Sequence, residues 1–272
     1  MSVSRQLIEL TRRAFRAAGV EVRRHQPDEA PRIDYADIFN ALIALRDNIG
    51  SPQAPEEELG FLDYCIKNAA LSRAQLMQDL FVLYHLQNKR QGYFVEFGAT
   101  DGVTINNTVL LEREFGWTGI LAEPARAWHE PLRANRTCAV NTGCVWHTSG
   151  KTLLFNQTPD KEYSTIDELS GSDYHADRRV HGERYAVATV SLLDLLDQND
   201  APSIIDYLSI DTEGSEFEIL NAFDFRKYDV QVITVEHNYT ANRGRLYDLL
   251  VGSGYTRKFK TLSQWDDWYV RQ

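Results

Sequence analysis

The chain reads as an α/β protein: a mostly parallel sheet with helices on both faces, behind a helical N-terminal extension and closed by a C-terminal antiparallel hairpin. Three observations predict this. Residues 1–90 place apolar side chains at helical spacing, the chain from Tyr93 alternates short apolar runs with stretches of helical length, and two last runs are separated only by turn residues. Strands alternating with helices make parallel sheets, because each crossover helix carries the chain back to the same end of the sheet.

The extension is interrupted at QPDEAP and GSPQAP. Before the first break, Leu7, Leu10, Ala14 and Ala17 or Ala18 share a face. Their small size favours packing on the protein itself over a membrane surface. Ile38, Leu42 and Leu45 follow at the same spacing, then Leu59, Leu62, Ile66 and Ala70, then Leu76, Leu80 and Leu83. No catalytic cluster occurs here. The extension is left with two uses, covering the core or forming a homo-oligomer contact.

The second domain, residues 91–272, carries the runs YFVEF, GILAE, CAVNTGCV, IIDYLSID and VQVITVE. Helices are expected over 107–115, 125–135, 215–223 and 242–252. The pair YTRKFK and DWYVR forms the hairpin and brings the sheet to seven strands. Residues 156–185 are polar and without period, and an insertion of that length in a compact domain is usually functional. It is expected to form a lid in which Tyr163, Ser164, Tyr174 and His175 meet a polar, hydroxylated substrate.

A hydrophobic content of 43% with 25% charged residues is that of a globular protein. The net charge of -10, without clustered Lys and Arg, argues against a general nucleic-acid binder and leaves a small molecule as the expected partner. No apolar run approaches the roughly 20 residues of a membrane span, and the first residues lack a secretory signal's apolar core, so a cytoplasmic location is expected. Cys65, Cys138 and Cys144 form no CxxC pair, which favours neither a disulfide framework nor a zinc site.

In an open parallel sheet, ligands gather at the carboxyl ends of the strands. Gly98 ends the first strand, where it lets a ligand approach the backbone, and Gly102 permits a tight turn. This spacing does not fit GxGxxG, which weakens an NAD-dependent oxidoreductase reading, and no GKS or GKT marks a phosphate loop. Glu123 ends the second strand, where a carboxylate can accept from both ribose hydroxyls. Glu96 stands inside an apolar strand, and a buried carboxylate needs a partner, either a cationic ligand or backbone donors.

The stretches FVEFGATDGVTINNTVLLEREFGWTGILAEP and LSIDTEGSEFEIL resemble the FkbM family of class I S-adenosylmethionine-dependent methyltransferases, from about Asp79 to the C-terminus. The resemblance implies a Rossmann-like fold and a cofactor loop formed by Glu96, Gly98, Ala99, Asp101 and Gly102. It also implies that Asn107 braces that loop or touches the cofactor's carboxylate, that Glu123 holds the ribose, and that Cys144 and Val145, ending the third strand, flank the adenine. Asp211 would face the transferred methyl or the acceptor, itself a hydroxyl of a sugar, polyketide or other secondary metabolite. A domain that kept the fold without catalysis is the alternative from another class.

Asp211, Glu213 and Glu216 crowd three carboxylates around a strand end and a helix start. The helix dipole favours acids in its first turn, which accounts for Glu216 and Glu218 and leaves Asp211 and Glu213 as the catalytic pair. On the next strand end, Glu236, His237 and Asn238 allow two mechanisms. His237 serves as general base, or Asp211, Glu236 and Asn238 hold a Mg²⁺ that acidifies the acceptor hydroxyl, similar to catechol-type O-methyltransferases.

Overall fold

The computed structural model describes residues 56–272, and the helices expected through Leu7 to Ala18 and Ile38 to Leu45 lie outside the described residues. Helices α1 (Glu56–Asn68) and α2 (Gln78–His85) come first. Of the expected face on α1, Leu59 and Leu62 are half-buried while Ile66 and Ala70 are exposed; the face that packs is Phe61 and Cys65, one turn apart. Phe61 stacks on Phe259 at 4.8 Å and meets Phe81 and Trp268 edge-on. Aromatic pairs in such geometries add to the area they bury. These helices cover one face of the main sheet, joining Phe94, Leu121, Tyr207 and Val232 in one core.

The main sheet contains β1 (Tyr93–Phe97), β2 (Thr118–Ala122), β3 (Ala139–Asn141), β8 (Ile204–Ile210), β9 (Asp229–Glu236), β10 (Tyr255–Lys258) and β11 (Asp266–Arg271). Their order is β10-β11-β9-β8-β1-β2-β3, seven strands, with β3 to β9 parallel and β11 antiparallel to both neighbours. Leu208 and Ile210 of β8 pack with Leu196, Ile219 and Leu250 on one face, while Tyr207 joins the other core. Burial on both faces is why these strands read as continuous apolar runs. Helices α3 (Val109–Phe115), α4 (Arg126–Asn135), α6 (Glu216–Asn221) and α7 (Asn242–Gly252) fall within the expected stretches.

The run CAVNTGCV is two strands. The Asn141 side chain accepts from Gly143 N at 2.7 Å and turns the chain, so Cys144 opens β4 (Cys144–Trp146). That strand belongs to a second sheet of order β4-β7-β5-β6, with β5 (Thr152–Gln157), β6 (Thr165–Ile166) and β7 (Glu183–Ser191). Along β7, Tyr185, Val187 and Thr189 are buried while Arg184, Ala186 and Ala188 are exposed, the period of a half-buried strand. The Ser191 side chain then caps α5 (Leu192–Gln198) by accepting from Asp194 N at 3.1 Å. The polar insertion is thus a series of short turns on a framed sheet, and Ile166 and Tyr185 give it a small core with Phe155.

Candidate active site

The carboxyl ends of β1, β2, β8 and β9 open onto a cavity of about 310 Å³, roofed by the polar insertion. Most of the residues expected at a site line it: Gly98, Asn107, Glu123, Cys144, Val145, Asp211, Glu213, Glu236 and Asn238 from the sheet side, and Tyr163, Ser164, Tyr174 and His175 from the roof. Cys144 and Val145 reach it from the second sheet and not from the third strand's end.

Gly98 follows β1 with φ +74°, and a Cβ there would lie 2.0 Å from the Asp211 carbonyl oxygen. Only glycine lets these two strand ends come so close. Thr100, Ile105, Glu213 and Asn238, all on the cavity wall, also have positive φ without being glycine. Strained backbone of this kind concentrates at functional sites.

Glu96 does not line the cavity. Its carboxylate is buried and accepts from Asn106 Nδ2 and Asn107 N, each at 3.0 Å, and from the Thr108 hydroxyl. The Arg136 guanidinium supplies the opposite charge and also holds Gly102 O, Asn106 Oδ1 and Thr108 Oγ1. Burial raises the Glu96 carboxyl, and Arg136 with the three donors opposes that. Glu96 is the prop of the loop. Three further residues expected to touch cofactor also stand behind the wall. Ala99 is buried, Asp101 turns onto Val103 N, Thr104 N and the Thr104 hydroxyl, and Gly102 faces Arg136 and Leu132.

Glu123 does face the cavity. Its two oxygens accept from Thr100 N at 3.0 Å and Ala125 N at 2.7 Å, which fixes the carboxylate and leaves lone pairs free for a diol. Burial pushes it up to about 7 against those donors. Asn107 donates to Ser209 Oγ at 2.9 Å, and its Oδ1 has no partner among the described residues.

On the other side, Asp211, Glu213 and Glu236 bring carboxylate oxygens within 4.8 Å of one another. Burial, then Asp266 and Glu216, push Asp211 up to about 7; burial, then Asp211, push Glu213 up to about 9. Glu236 is raised well above the usual carboxylate range by burial and its acidic neighbours. Arg179 reaches down from the roof to donate to Glu213 Oε2 at 2.8 Å and grips Asp173 with two nitrogens. Glu216 caps its own helix, accepting from Thr212 N, the Thr212 hydroxyl and Gly214 N, the stabilising role expected of it.

Of the expected Mg²⁺ set, Asp211 and Glu236 come together with Glu213 as a third carboxylate, while Asn238 donates to Glu213 at 3.3 Å and accepts from Tyr174 at 3.3 Å. Arg179 pairs with Glu213. His237 is outside the cavity wall. Nδ1 accepts from Tyr239 N at 3.0 Å, Nε2 meets Asp266 O at 3.1 Å, and burial lowers the ring below its usual range. A histidine with both nitrogens engaged is a strand-end brace and offers no free base.

Several wall residues escaped the sequence reading. Gln75 enters from the segment before α2 and Gln78 from the first position of α2, where it donates to Asp266 Oδ2 at 2.8 Å. Trp128 comes from α4, with Lys161 over its ring at 5.0 Å. A polar pair opening an apolar helix, as in QDLFVL, was the available signal for Gln78; the contact of Arg179 with Glu213 had none, because it joins residues far apart in the chain.

The Methyltransferase FkbM domain model matches residues 96–268, well over half of the 272 residues. The chain belongs to the FkbM methyltransferase family. No curated protein matches it in sequence. Among solved structures it is similar to a precorrin-6y C5,15-methyltransferase from Geobacter metallireducens GS-15, at 12% identity and TM-score 0.37, covering 71% of this chain and 85% of that one. A fibrillarin/Nop5p complex chain is similar at 12% identity and TM-score 0.34, covering 74% and 81%. At these scores the likeness decides nothing by itself, and membership rests on the family match.

For an FkbM-domain protein the cavity has the parts that S-adenosylmethionine requires. Gly98 leaves a cradle that a Cβ would fill, Glu123 offers a fixed carboxylate for a diol, and a volume of about 310 Å³ falls within the range of small-molecule sites. No helix among the described residues is long and apolar enough to cross a membrane.

Proposed function

We propose that this FkbM-domain methyltransferase methylates a hydroxyl of a small polar acceptor, such as a sugar, polyketide or other secondary metabolite, with Asp211 as general base. One observation carries the reading: the Asp211 carboxyl lines the cavity beside Glu236, its hydrogen-bond partner, and burial with its acidic neighbours pushes it up to about 7. A base tuned near working pH combines availability with proton-accepting power.

Bound S-adenosylmethionine supplies an electrophilic methyl group. The chain's own residues do the rest. Glu123 and the Gly98 loop hold the nucleoside and tail, Asn107 adds an acceptor, and Cys144, Val145 and Phe155 form an apolar wall for the base. Tyr163, Ser164, Tyr174 and His175 orient the acceptor from the roof, excluding water and aligning its oxygen behind the methyl carbon. The acceptor proton passes to an Asp211 carboxylate oxygen. Glu213, pushed up to about 9 by burial and Asp211, lies beside that proton in contact with the Arg179 guanidinium.

The test is methyl transfer from radiolabelled S-adenosylmethionine to a panel of hydroxylated and amine acceptors, with wild type and Asp211→Asn. The expected result is transfer to a hydroxyl compound, reduced about 10²–10⁴-fold in the variant, the range for losing a general base. Labelling of amines alone, or full activity of Asp211→Asn, overturns the reading.

A further inference from the structure

Among the described residues, two cavity-lining side chains carry a buried polar atom with no hydrogen-bond partner: Asn107 Oδ1 and Trp128 Nε1. The first is an acceptor in the loop that Glu96 props. The second can only donate, because an indole N–H offers no lone pair. A buried N–H has given up its hydrogen bonds to water, and native proteins rarely leave such a group unmatched. On a cavity wall the match comes from the ligand.

The surroundings of Trp128 indicate which part of a ligand that is. Ala125 N donates to Glu123 Oε1 at 2.7 Å, Trp128 N donates to Ala125 O at 3.0 Å, and His129 Nε2 meets Glu123 O at 2.9 Å. The start of α4 is thereby tied to the carboxylate that can receive a diol. The ring packs with Cys144, Phe155 and Ile166 in the small core of the second sheet, and all four side chains line the cavity. Of these four the indole alone carries an N–H. A nucleoside whose ribose meets Glu123 sets its base against this group, and a purine base brings ring nitrogens with lone pairs. Lys161 of the roof covers one face of the indole, with Nζ 5.0 Å from the ring centre, which leaves the edge that carries Nε1 to meet the base. Lys161 is exposed, so its side chain can shift as the base enters.

We infer that Trp128 is a specificity-determining residue for the methyl donor: its indole N–H donates to a ring nitrogen of the adenine, reading the base at its edge while the apolar side chains hold its faces. The inference rests on the methyl-donor reading of the site. An N–H is satisfied only by an atom with a lone pair, so a base that presents C–H at that position leaves the donor buried and unmatched. Discrimination of this kind is stronger than apolar contact alone supplies, because the wrong base forfeits a hydrogen bond and gains nothing in return. The contact exchanges neither charge nor proton. Trp128→Phe keeps an aromatic ring in the same small core and removes the donor.

The experiment is titration calorimetry of the full chain, wild type and Trp128→Phe, with S-adenosylhomocysteine and with analogues in which carbon replaces each accepting ring nitrogen of the base in turn. Trp128→Phe is expected to bind S-adenosylhomocysteine about three- to tenfold more weakly than wild type. One analogue should bind wild type more weakly by a similar factor, and for that analogue alone the substitution should cost nothing further, the signature of a shared contact. If Trp128→Phe does not fold, the indole N–H resonances of the wild-type chain decide: one of the five tryptophans should shift downfield with S-adenosylhomocysteine and stay in place with that analogue. A loss in Trp128→Phe that is equal for every compound, no loss at all, or no indole shift overturns the inference and leaves the methyl-donor reading standing. No binding of S-adenosylhomocysteine to wild type overturns both.

Discussion

Arg179 and Glu213 form a buried ion pair at 2.8 Å, with Arg179 wholly enclosed and Glu213 one-tenth exposed. It joins the roof of the cavity to the turn after β8, because Arg179 also binds Asp173 and the Tyr163 carbonyl. Arg179→Met leaves a buried carboxylate unpaired, which typically costs about 3–5 kcal/mol. The expected outcome is a stability loss of that order in urea unfolding, together with faster proteolysis between Asp160 and Gly182. A loss below about 1 kcal/mol would show that the pair does not hold the roof.

Glu96 and Glu123 are both buried acids at adjacent strand ends, yet only Glu123 meets the cavity. Glu96→Gln replaces one acceptor oxygen by a donor opposite Asn106, Asn107 and Thr108, and is expected to cost about 1–3 kcal/mol in stability. Its effect on S-adenosylhomocysteine affinity should be smaller than that of Glu123→Gln. Calorimetry on both variants, beside their unfolding curves, checks the division. Tight binding by Glu123→Gln with weak binding by Glu96→Gln would reverse the assignment.

The division between these two carboxylates also marks what the sequence could convey. Continuous apolar runs with acids at their ends located the sheet edge, since burial on both faces forces that pattern, and Gly98, Glu123 and Asp211 follow from it. Whether a carboxylate turns outward or inward depends on partners far along the chain. Glu96 is claimed by Arg136, and His237 by Tyr239 and the Asp266 carbonyl. The second sheet was less legible: β5 runs into the polar stretch and β6 is two residues long, although β7 does carry an apolar run, Tyr185–Val190, just after that stretch.

His237→Ala removes a ring that braces the end of β9 and leaves Tyr239 N without its acceptor. The expected cost is about 1–3 kcal/mol in unfolding free energy. The pH dependence of methyl transfer should keep its shape, because the ring is outside the cavity wall. A pH–rate profile that loses its basic-form requirement in this variant would restore His237 as the base.

Chelation should leave the protein unchanged. Arg179 already pairs with Glu213, one of the three clustered carboxylates, so saturating EDTA is expected to shift neither the melting temperature nor S-adenosylhomocysteine affinity. Added Mg²⁺ should raise neither. A melting temperature that falls in EDTA and recovers with Mg²⁺ would show that the cluster prefers a metal despite the guanidinium.

Stability itself should fall as pH rises above neutrality. Asp211, Asp266 and Glu123 are pushed up to about 7 and Glu213 up to about 9, from ordinary values near 4. Folded-state values above the unfolded ones mean that the native chain keeps protons the unfolded chain has already lost. Their contribution is complete below about pH 4 and is withdrawn as pH passes through 7 and then 9. Asp101 and Glu112, lowered by their hydrogen bonds, act in the opposite direction, but their contribution is already in place by pH 6. Between pH 6 and 9 the melting temperature is therefore expected to decline without a plateau. S-adenosylmethionine should lessen the decline more than S-adenosylhomocysteine, since it brings the positive charge the emptied carboxylates lack. A melting temperature that stays level or climbs over this interval would mean that the acids at the sheet edge ionise freely in the folded chain.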